Sequence, residues 1–478
     1  MYATVGEKPR LTSGIHEINR NISALIAPLL NRPTAGTGTL GGMMQTIGAL
    51  SGMGWGRRGD EPLPTNPIAW LRQQLDGPDQ AVFPSLGDSA DGLIALRTQR
   101  HDKMPGDPLV KPVFQAETVA QMNNLLRTEQ PFRERLAWFW CNHFTVSVRQ
   151  GGTRAVVGAY MREAIRPNVT RRFSDMLLAV MHHPAMLMYL DNTSSIGPDS
   201  RAGLKQHRGL NENLARECLE LHTISPAAGY TQADVTSFAA VLTGWGVDMK
   251  AERPGFVFRA NAHEPGEKTL MGRTFPEGEE GGLQALQFLG THPATYRHIA
   301  TQMATHFLSD VPSPHDVAAI VAALHDTQGD LGAAAMALVH LSDAGRPGAK
   351  FRTPMDYTTA VLRALDDGEA SVAPDDPHSP AHRLAGGLGY LGQPLWNAPL
   401  PNGWSDRAAD WSAPADVMAR ADWAYRIAAS APPVDPLDVA HATLGPALRR
   451  ETITAIRHAG SRRDGLTLLF SSPEFQRR

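Results

Sequence analysis

Cysteine is nearly absent: Cys141 and Cys218 are the only two in 478 residues. They stand far apart, in apolar helical patterns, with no CxxC pair, which argues against a thiolate metal centre or dithiol redox site and for small buried hydrophobes. A surplus of positive charge is missing too. Lys plus Arg number 45 against 48 for Asp plus Glu, a formal net charge of -3, and no long block of one sign occurs, so general nucleic-acid binding is not expected. Long hydrophobic runs are also lacking. The longest apolar stretch near the N-terminus, 22–30, is broken by Ser23 and Pro28 and falls far short of the roughly 20 residues that span a bilayer, so no transmembrane segment is expected. Met1 to Arg20 carries scattered charges and no apolar run behind a basic start; it does not read as a signal peptide, and the default expectation is a cytoplasmic protein. Missing as well are a GxSxG elbow, a GxxxxGK[ST] phosphate loop and a GxGxxG after a strand. The commonest hydrolase, nucleotide and dehydrogenase readings therefore lose support.

What is present is an ordinary globular composition, 42% hydrophobic and 19% charged, long enough for a large core. Residues 1–60, rich in Gly and Thr before Arg57, read as a flexible N-terminal segment, with ordered structure starting near Pro67. Residues 61–430 read as the main helical domain. Residues 431–478, entered through the Pro-rich stretch at 431–437, read as a C-terminal helical extension packed on it. Apolar residues recur at helical spacing over 68–74, 116–126, 132–143, 155–165 and 174–181, and further helices are expected over about 281–290, 294–309, 314–325, 330–342, 354–366, 380–391, 415–430, 447–459 and 463–470. Ser313 and Thr231 stand as N-caps ahead of Asp316 and Asp234. The fold class is all-α, an irregular multi-helix globule, with at most one small β-hairpin near 256–271, pairing Phe256–Arg259 with Thr269–Leu270.

Four constellations carry polar chemistry. The first is Asn211 to Thr223. At about 100° per residue, Glu212, Arg216, Glu220, Asn213 and Glu217 share one face, while Leu214, Leu219 and His222 lie on the other. The plain interpretation is a solvated face with an Arg216–Glu220 pair at i, i+4; the sharper one is a cleft in which Glu217 and Glu220 ligate a divalent cation or divide acid and base roles. ExxELH is not the HExxH zinc pattern, and His222 on the apolar side reads as a buried, hydrogen-bonded histidine rather than a ligand. The second is the aromatic run ending in Asn142 and His143, whose amide and imidazole need partners that Glu217 or Glu220 would supply. The third is the loop His263-Glu264-Pro265-Gly266-Glu267-Lys268, a turn composition that would also complete a metal site. The fourth is Leu400-Pro401-Asn402-Gly403-Trp404-Ser405-Asp406, followed by Trp411, a tight turn with an indole that walls a pocket or anchors the loop. His182-His183-Pro184 and Asp191-Asn192 read as helix caps.

Taken in order, RLAWFWCNHFTVS from Arg135, HPAMLMYLDNTSSIGPDS from His183, GLNENLARECLELHTIS from Gly209, GYTQADVTSFAAVLTGW from Gly229, HEPGEKTLMG from His263, HPATYRHIATQMATHFLSD from His292, LGQPLWNAPLPNGWSD from Leu391 and SPEFQRR at the end resemble a large bacterial family catalogued as domain of unknown function 1800. The resemblance covers the chain from about residue 50 onward. It implies a mainly helical fold and emphasises Asn142, His143, Glu212, Asn213, Arg216, Glu217, Glu220, His222, His263, Gly266 and Lys268, but implies no established activity. Many members resemble exported proteins with a sulfatase-like partner encoded nearby. This N-terminus lacks their signal, and Ile224-Ser225-Pro226-Ala227 replaces the usual Gly after the His-Thr of the central helix.

The expectation drawn from these residues is an uncharacterised bacterial protein that performs metal-assisted or acid/base hydrolysis. Its catalytic groups would be His143, Asn213, Glu217, Glu220 and His263, with Glu217, Glu220 and His143 as the metal set and Asn142, Arg216, His222, Lys268, Asn402 and Trp404 in support. The rival is a noncatalytic scaffold or partner-binding protein, whose polar residues form a structural network.

Overall fold

The computed structural model describes residues 46–59, 61–206, 209–341, 348–366, 376 and 378–478. Of the flexible segment expected over 1–60, residues 1–45 and 60 lie outside the described residues, while most of 46–59 is buried against the core instead of forming a loose connection. The helical expectation holds except over 155–165, where Val157–Tyr160 runs straight into a π turn at Met161–Ile165; the helices run Pro67–Asp76, Val110–Arg127, Pro131–His143, Phe173–His182, Glu279–Gly290, Pro293–Phe307, Pro314–Asp326, Leu331–His340, Pro354–Ala364, Pro380–Tyr390, Pro414–Ala429, Arg450–Arg457 and Arg462–Ser471. Two more, Ser89–His101 and Pro436–Leu444, have mixed polar patterns that periodicity does not single out. Local punctuation sets the starts. Ser313 accepts from the Asp316 amide, Thr231 and Asp234 form a capping box, and His183 accepts from the Ala185 amide, each satisfying amides that the first helical turn leaves free.

The Pro131–His143 helix is the axis of the core, buried on every side from Pro131 to Cys141. Burying its three charged residues demands partners. Arg133 donates to the carbonyls of Gln74, Leu75 and Gly77 at the end of the Pro67–Asp76 helix, where a cation also meets the negative end of the dipole. Glu134 pairs with Arg166. Arg135 donates to Gly54 O and lies 2.6 Å from Asp356 Oδ1, with its guanidinium 4.1 Å from the Trp55 ring. Residues 46–59 are thus tied to this axis: Ala49–Met53 forms a buried π turn, and Trp55 is 3% exposed.

Asp356 is the N3 residue of the capping box that starts Pro354–Ala364, and it also accepts from Arg478 Nε at 3.0 Å. The segment carrying Arg478 pairs with 350–352 through Lys350 N to Arg478 O, Arg478 N to Lys350 O and Arg352 N to Gln476 O. Helix Arg462–Ser471 lies against Pro414–Ala429, and Phe470, Leu466 and Leu469 join the main core.

The β structure is small, and its pairing differs from the sequence expectation. Strands β1 (Trp245–Asp248) and β2 (Gly255–Phe258) form one antiparallel pair, and β3 (Lys268–Leu270) and β4 (Arg273–Phe275) another. Phe256–Phe258 therefore pairs with Trp245–Val247, and Thr269 and Leu270 pair with Thr274 and Arg273. Each strand takes its nearest neighbour in the chain. Met271 at φ 48 and Gly272 at φ 77 make the two-residue turn that matches strand twist.

Candidate functional site

The polar helix is regular only over Asn213–Glu217; Cys218–His222 is a π turn. Thr223 Oγ1 donates to Cys218 O at 2.6 Å and Ser225 N to Leu219 O at 2.9 Å, so the exit is wide, and the carbonyls of Leu221 and His222 are left without intrahelical donors. Two histidines from other helices satisfy them. His143 Nε2 lies 3.1 Å from His222 O, and His298 Nε2 lies 2.8 Å from Leu221 O. A carbonyl only accepts, so both Nε2 atoms carry the proton. Each neutral ring then keeps its lone pair on Nδ1. The rings lie 6.0 Å apart on one wall of an open cleft. Burial holds the His143 pKa well below the ordinary imidazole value, with the neighbouring His222 and His298 adding to the effect; burial lowers His298 as well.

The opposite wall is the loop around Asn402 to Trp411, locked onto the core at Asn142. Asn142 Nδ2 donates to Trp404 O at 2.9 Å, and Trp404 N donates to Asn142 Oδ1 at 2.8 Å. Gly403 makes this approach feasible: its φ is +73, and a Cβ there would lie 2.6 Å from Asn142 O and 2.7 Å from Thr145 Oγ1. Beyond it, Asp406 Oδ1 meets His306 Nδ1 at 2.7 Å, Lys350 Nζ donates to Asp406 O at 2.7 Å, and Trp411 Nε1 donates to Ser405 O at 2.7 Å. The cleft spans about 1570 Å³, counting its open mouth. Behind it lies a second pocket, about 700 Å³ with the open solvent at its mouth counted, that shares Asn142, Trp404, Ser405 and Asp406 with the cleft.

Of the residues singled out from the sequence, Asn142, His143, Asn402 and Trp404 meet at this cleft. His222 stands just behind it, 0% exposed, neither ring nitrogen hydrogen-bonded; burial, then His298, push its pKa down to about 3. It is buried, as its apolar position indicated, but lacks the side-chain hydrogen bonds expected of it, because the nearby groups that could serve it are used elsewhere in the turn.

The carboxylate face lies elsewhere. Glu217 and Glu220 line neither pocket and supply no partner to Asn142 or His143, whose partners are backbone groups. Arg216 pairs with Glu212 at 2.7 Å rather than with Glu220. Glu212 also accepts from Gln232 at 2.9 Å and Thr236 at 2.7 Å, so this face docks onto the Gln232–Val241 helix. Asn213 is exposed, its amide donating to Asn211 Oδ1. Glu217 is half-buried, its pKa raised by burial and then by Glu220, against Arg216.

His263 stands in a third place. Its Nε2 lies 3.0 Å from both Lys268 Nζ and the Gly278 amide, so it accepts, and Nδ1 donates to Thr243 O at 2.9 Å. Both nitrogens are used, and Lys268, 6% exposed, is spent on His263 and Glu264 O. This network pins the loop between the two hairpins. Among the described residues, no group of three or more His, Cys, Asp or Glu is arranged to hold a metal ion. Sequence reasoning passed over His298 and His306 and carried Asp406 only as the end of the Leu400–Asp406 turn. Its only usable signals were their positions inside the HPATYRHIATQMATHFLSD and NGWSD motifs.

Residues 37–477 match the family model described as Protein of unknown function (DUF1800). No curated protein and no solved structure matches the chain. No helix among the described residues is long and apolar enough to cross a membrane.

Proposed function

The chain belongs to the DUF1800 family, whose description assigns no activity, and we propose from its cleft that it is an acid/base hydrolase acting through His143 and His298. The observation that carries this reading is the pair of Nε2 protons fixed on consecutive carbonyls of the π turn, which leaves each Nδ1 as the basic nitrogen. An imidazole held in one tautomer by a second partner is the arrangement a general base needs. The depressed pKa values keep both rings neutral at pH 7. In the proposed reaction, one Nδ1 takes a proton from water as the water oxygen attacks a carbonyl carbon. The same imidazolium then returns the proton to the leaving oxygen as the carbon–oxygen bond breaks. Asp406 belongs to the opposite wall, and its bond to His306 orients that loop rather than the base.

The test uses substitutions that keep the packing bond. In His143→Gln and His298→Gln, a side-chain amide N–H replaces Nε2–H on the same carbonyl and the lone pair of Nδ1 is lost. Assayed on a panel of p-nitrophenyl esters, kcat/KM should fall by about 100-fold or more in His143→Gln, with wild-type activity declining only below the ordinary imidazole range. Equal turnover by folded wild type and variants, or no ester turned over by the wild type, would remove the proposal.

A noncatalytic scaffold draws support from the polar residues consumed in packing: Asn142, Glu212, Arg216, His263 and Lys268. The sulfatase-like neighbour that the resemblance implies would be its partner. On that reading the glutamine variants shift the melting temperature, no substrate is turned over, and the partner co-purifies.

A further inference from the structure

The pocket behind the cleft is walled by Trp138, Trp396, Trp404, Leu395, Met355 and Val146. Trp138 and Trp396 stack with centroids 6.2 Å apart and planes at 25°, presenting indole surface. The charged floor is already engaged within the protein. Arg135 donates to Gly54 O, pairs with Asp356 and lies over the Trp55 ring, with only its Nη1 left without a hydrogen-bond partner. Asp356 is spent on Arg135, Arg478, Thr353 N and Thr353 Oγ1. A ligand entering here meets mostly apolar surface, charges already paired with each other, and the unbonded N–H groups of Arg135 Nη1 and Trp138 Nε1; apolar surface with a few polar groups at one rim is what a small-molecule site offers. That rim is Asn142, Trp404, Ser405 and Asp406, the residues shared with the cleft. Asn142 precedes His143 in the chain.

We infer that this inner pocket is the specificity pocket of the hydrolytic site and takes a flat, uncharged aromatic ring, making the substrates aryl esters with the ring held inward and the ester at the rim. The inference rests on the proposed acid/base reading for its chemistry, but the binding of the ring is independent of it. Indole walls favour a planar ring by stacking and area, and the internally paired Arg135 and Asp356 disfavour a charged one, which would have to break those pairs.

The probe is 1-naphthol, with 1-naphthyl acetate and methyl acetate as substrates. Titrated into the full chain labelled with ¹³C at methionine methyl groups, 1-naphthol should shift the Met355 resonance, assigned by its loss in Met355→Leu. Calorimetry should find binding at least 10-fold weaker in Ala398→Phe and in Val146→Phe, since both residues line the pocket and the added ring fills it. If neither variant folds, the wild-type Met355 shift decides: a saturable shift supports the pocket and a still resonance overturns it. Unchanged affinity in a folded filling variant also overturns it. Naphthol binding without turnover of any ester would keep the pocket and end the acid/base reading. Turnover in which Ala398→Phe leaves the preference for naphthyl over methyl acetate unchanged would do the reverse.

Discussion

Replacing Gly403 with alanine should open the loop that forms one wall of the cleft. Two costs add. An alanine held at a φ of +73 sits in the left-handed region, at about 1–2 kcal/mol. Its Cβ would also lie 2.6 Å from both Asn142 O and Asn142 Oδ1, so the turn must move away from the helix end. That movement breaks the reciprocal bonds between Asn142 and the Trp404 backbone, at about 1 kcal/mol each. The sum is about 3–4 kcal/mol, concentrated in the loop. Since each 1.4 kcal/mol is tenfold, exchange of the Trp404 amide hydrogen should accelerate by about two to three orders of magnitude, and the loop should become the first site of proteolytic cleavage. Gly266→Ala is the control. Its φ is +79, but nothing lies within 4 Å of a Cβ, so only the left-handed term applies and Trp404 exchange should not change. If Gly403→Ala leaves Trp404 exchange within a few-fold of wild type, or if Gly266→Ala perturbs it equally, the lock between Asn142 and residue 404 has been misjudged.

Asp356→Asn should destabilise the fold by about 3–5 kcal/mol at pH 7, because Arg135 and Arg478 then share a core without their carboxylate. These two guanidiniums hold the Asp356 carboxyl far below the usual carboxylate range despite its burial. A depressed folded-state pKa gives stability that is present above the unfolded value and lost as pH falls toward the folded one. The gap between wild type and variant should therefore be flat from pH 7 to 5 and shrink below about pH 4 by roughly 1.4 kcal/mol per pH unit. Urea midpoints across that range measure it, and a gap unaltered at pH 3 contradicts the assignment. The Glu217→Ala, Glu220→Ala double variant should change stability by less than about 1 kcal/mol and leave the metal content of protein purified without chelator equal to that of wild type, by elemental analysis. Loss of a stoichiometric metal in the variant would return the carboxylate face to the site.

Much of the local structure is written in short stretches. Ser313, Thr231 and His183 begin helices because a side-chain acceptor, a following amide and, at Ser313 and His183, a proline lie within three residues of each other. The run from Pro131 to Cys141 announces burial by its aromatic density, and the apolar face of the polar helix correctly places His222 inside. Periodicity is a local property, and these elements needed no more. It misled where geometry departs from the regular helix: the π turn over Cys218–His222 redirects two carbonyls that an α-helical projection keeps within the helix.

The site is another matter. Asn142 and Trp404 are 262 residues apart in the chain, and His298 and His143 reach the π turn across 77 and 79 residues. The sequence supplied Asn142, His143, Asn402 and Trp404 as candidates, but offered Glu217, Glu220 and His263 with the same weight. Tertiary packing separated them, because a buried polar group must be satisfied by whatever the fold brings near it. For His263 those partners are Lys268, Gly278 and Thr243, which use both ring nitrogens; for His143 and His298 a single carbonyl takes one nitrogen and leaves the other basic. Residue types alone cannot tell a consumed imidazole from a poised one, since the difference lies in the partners, and only the folded chain chooses these.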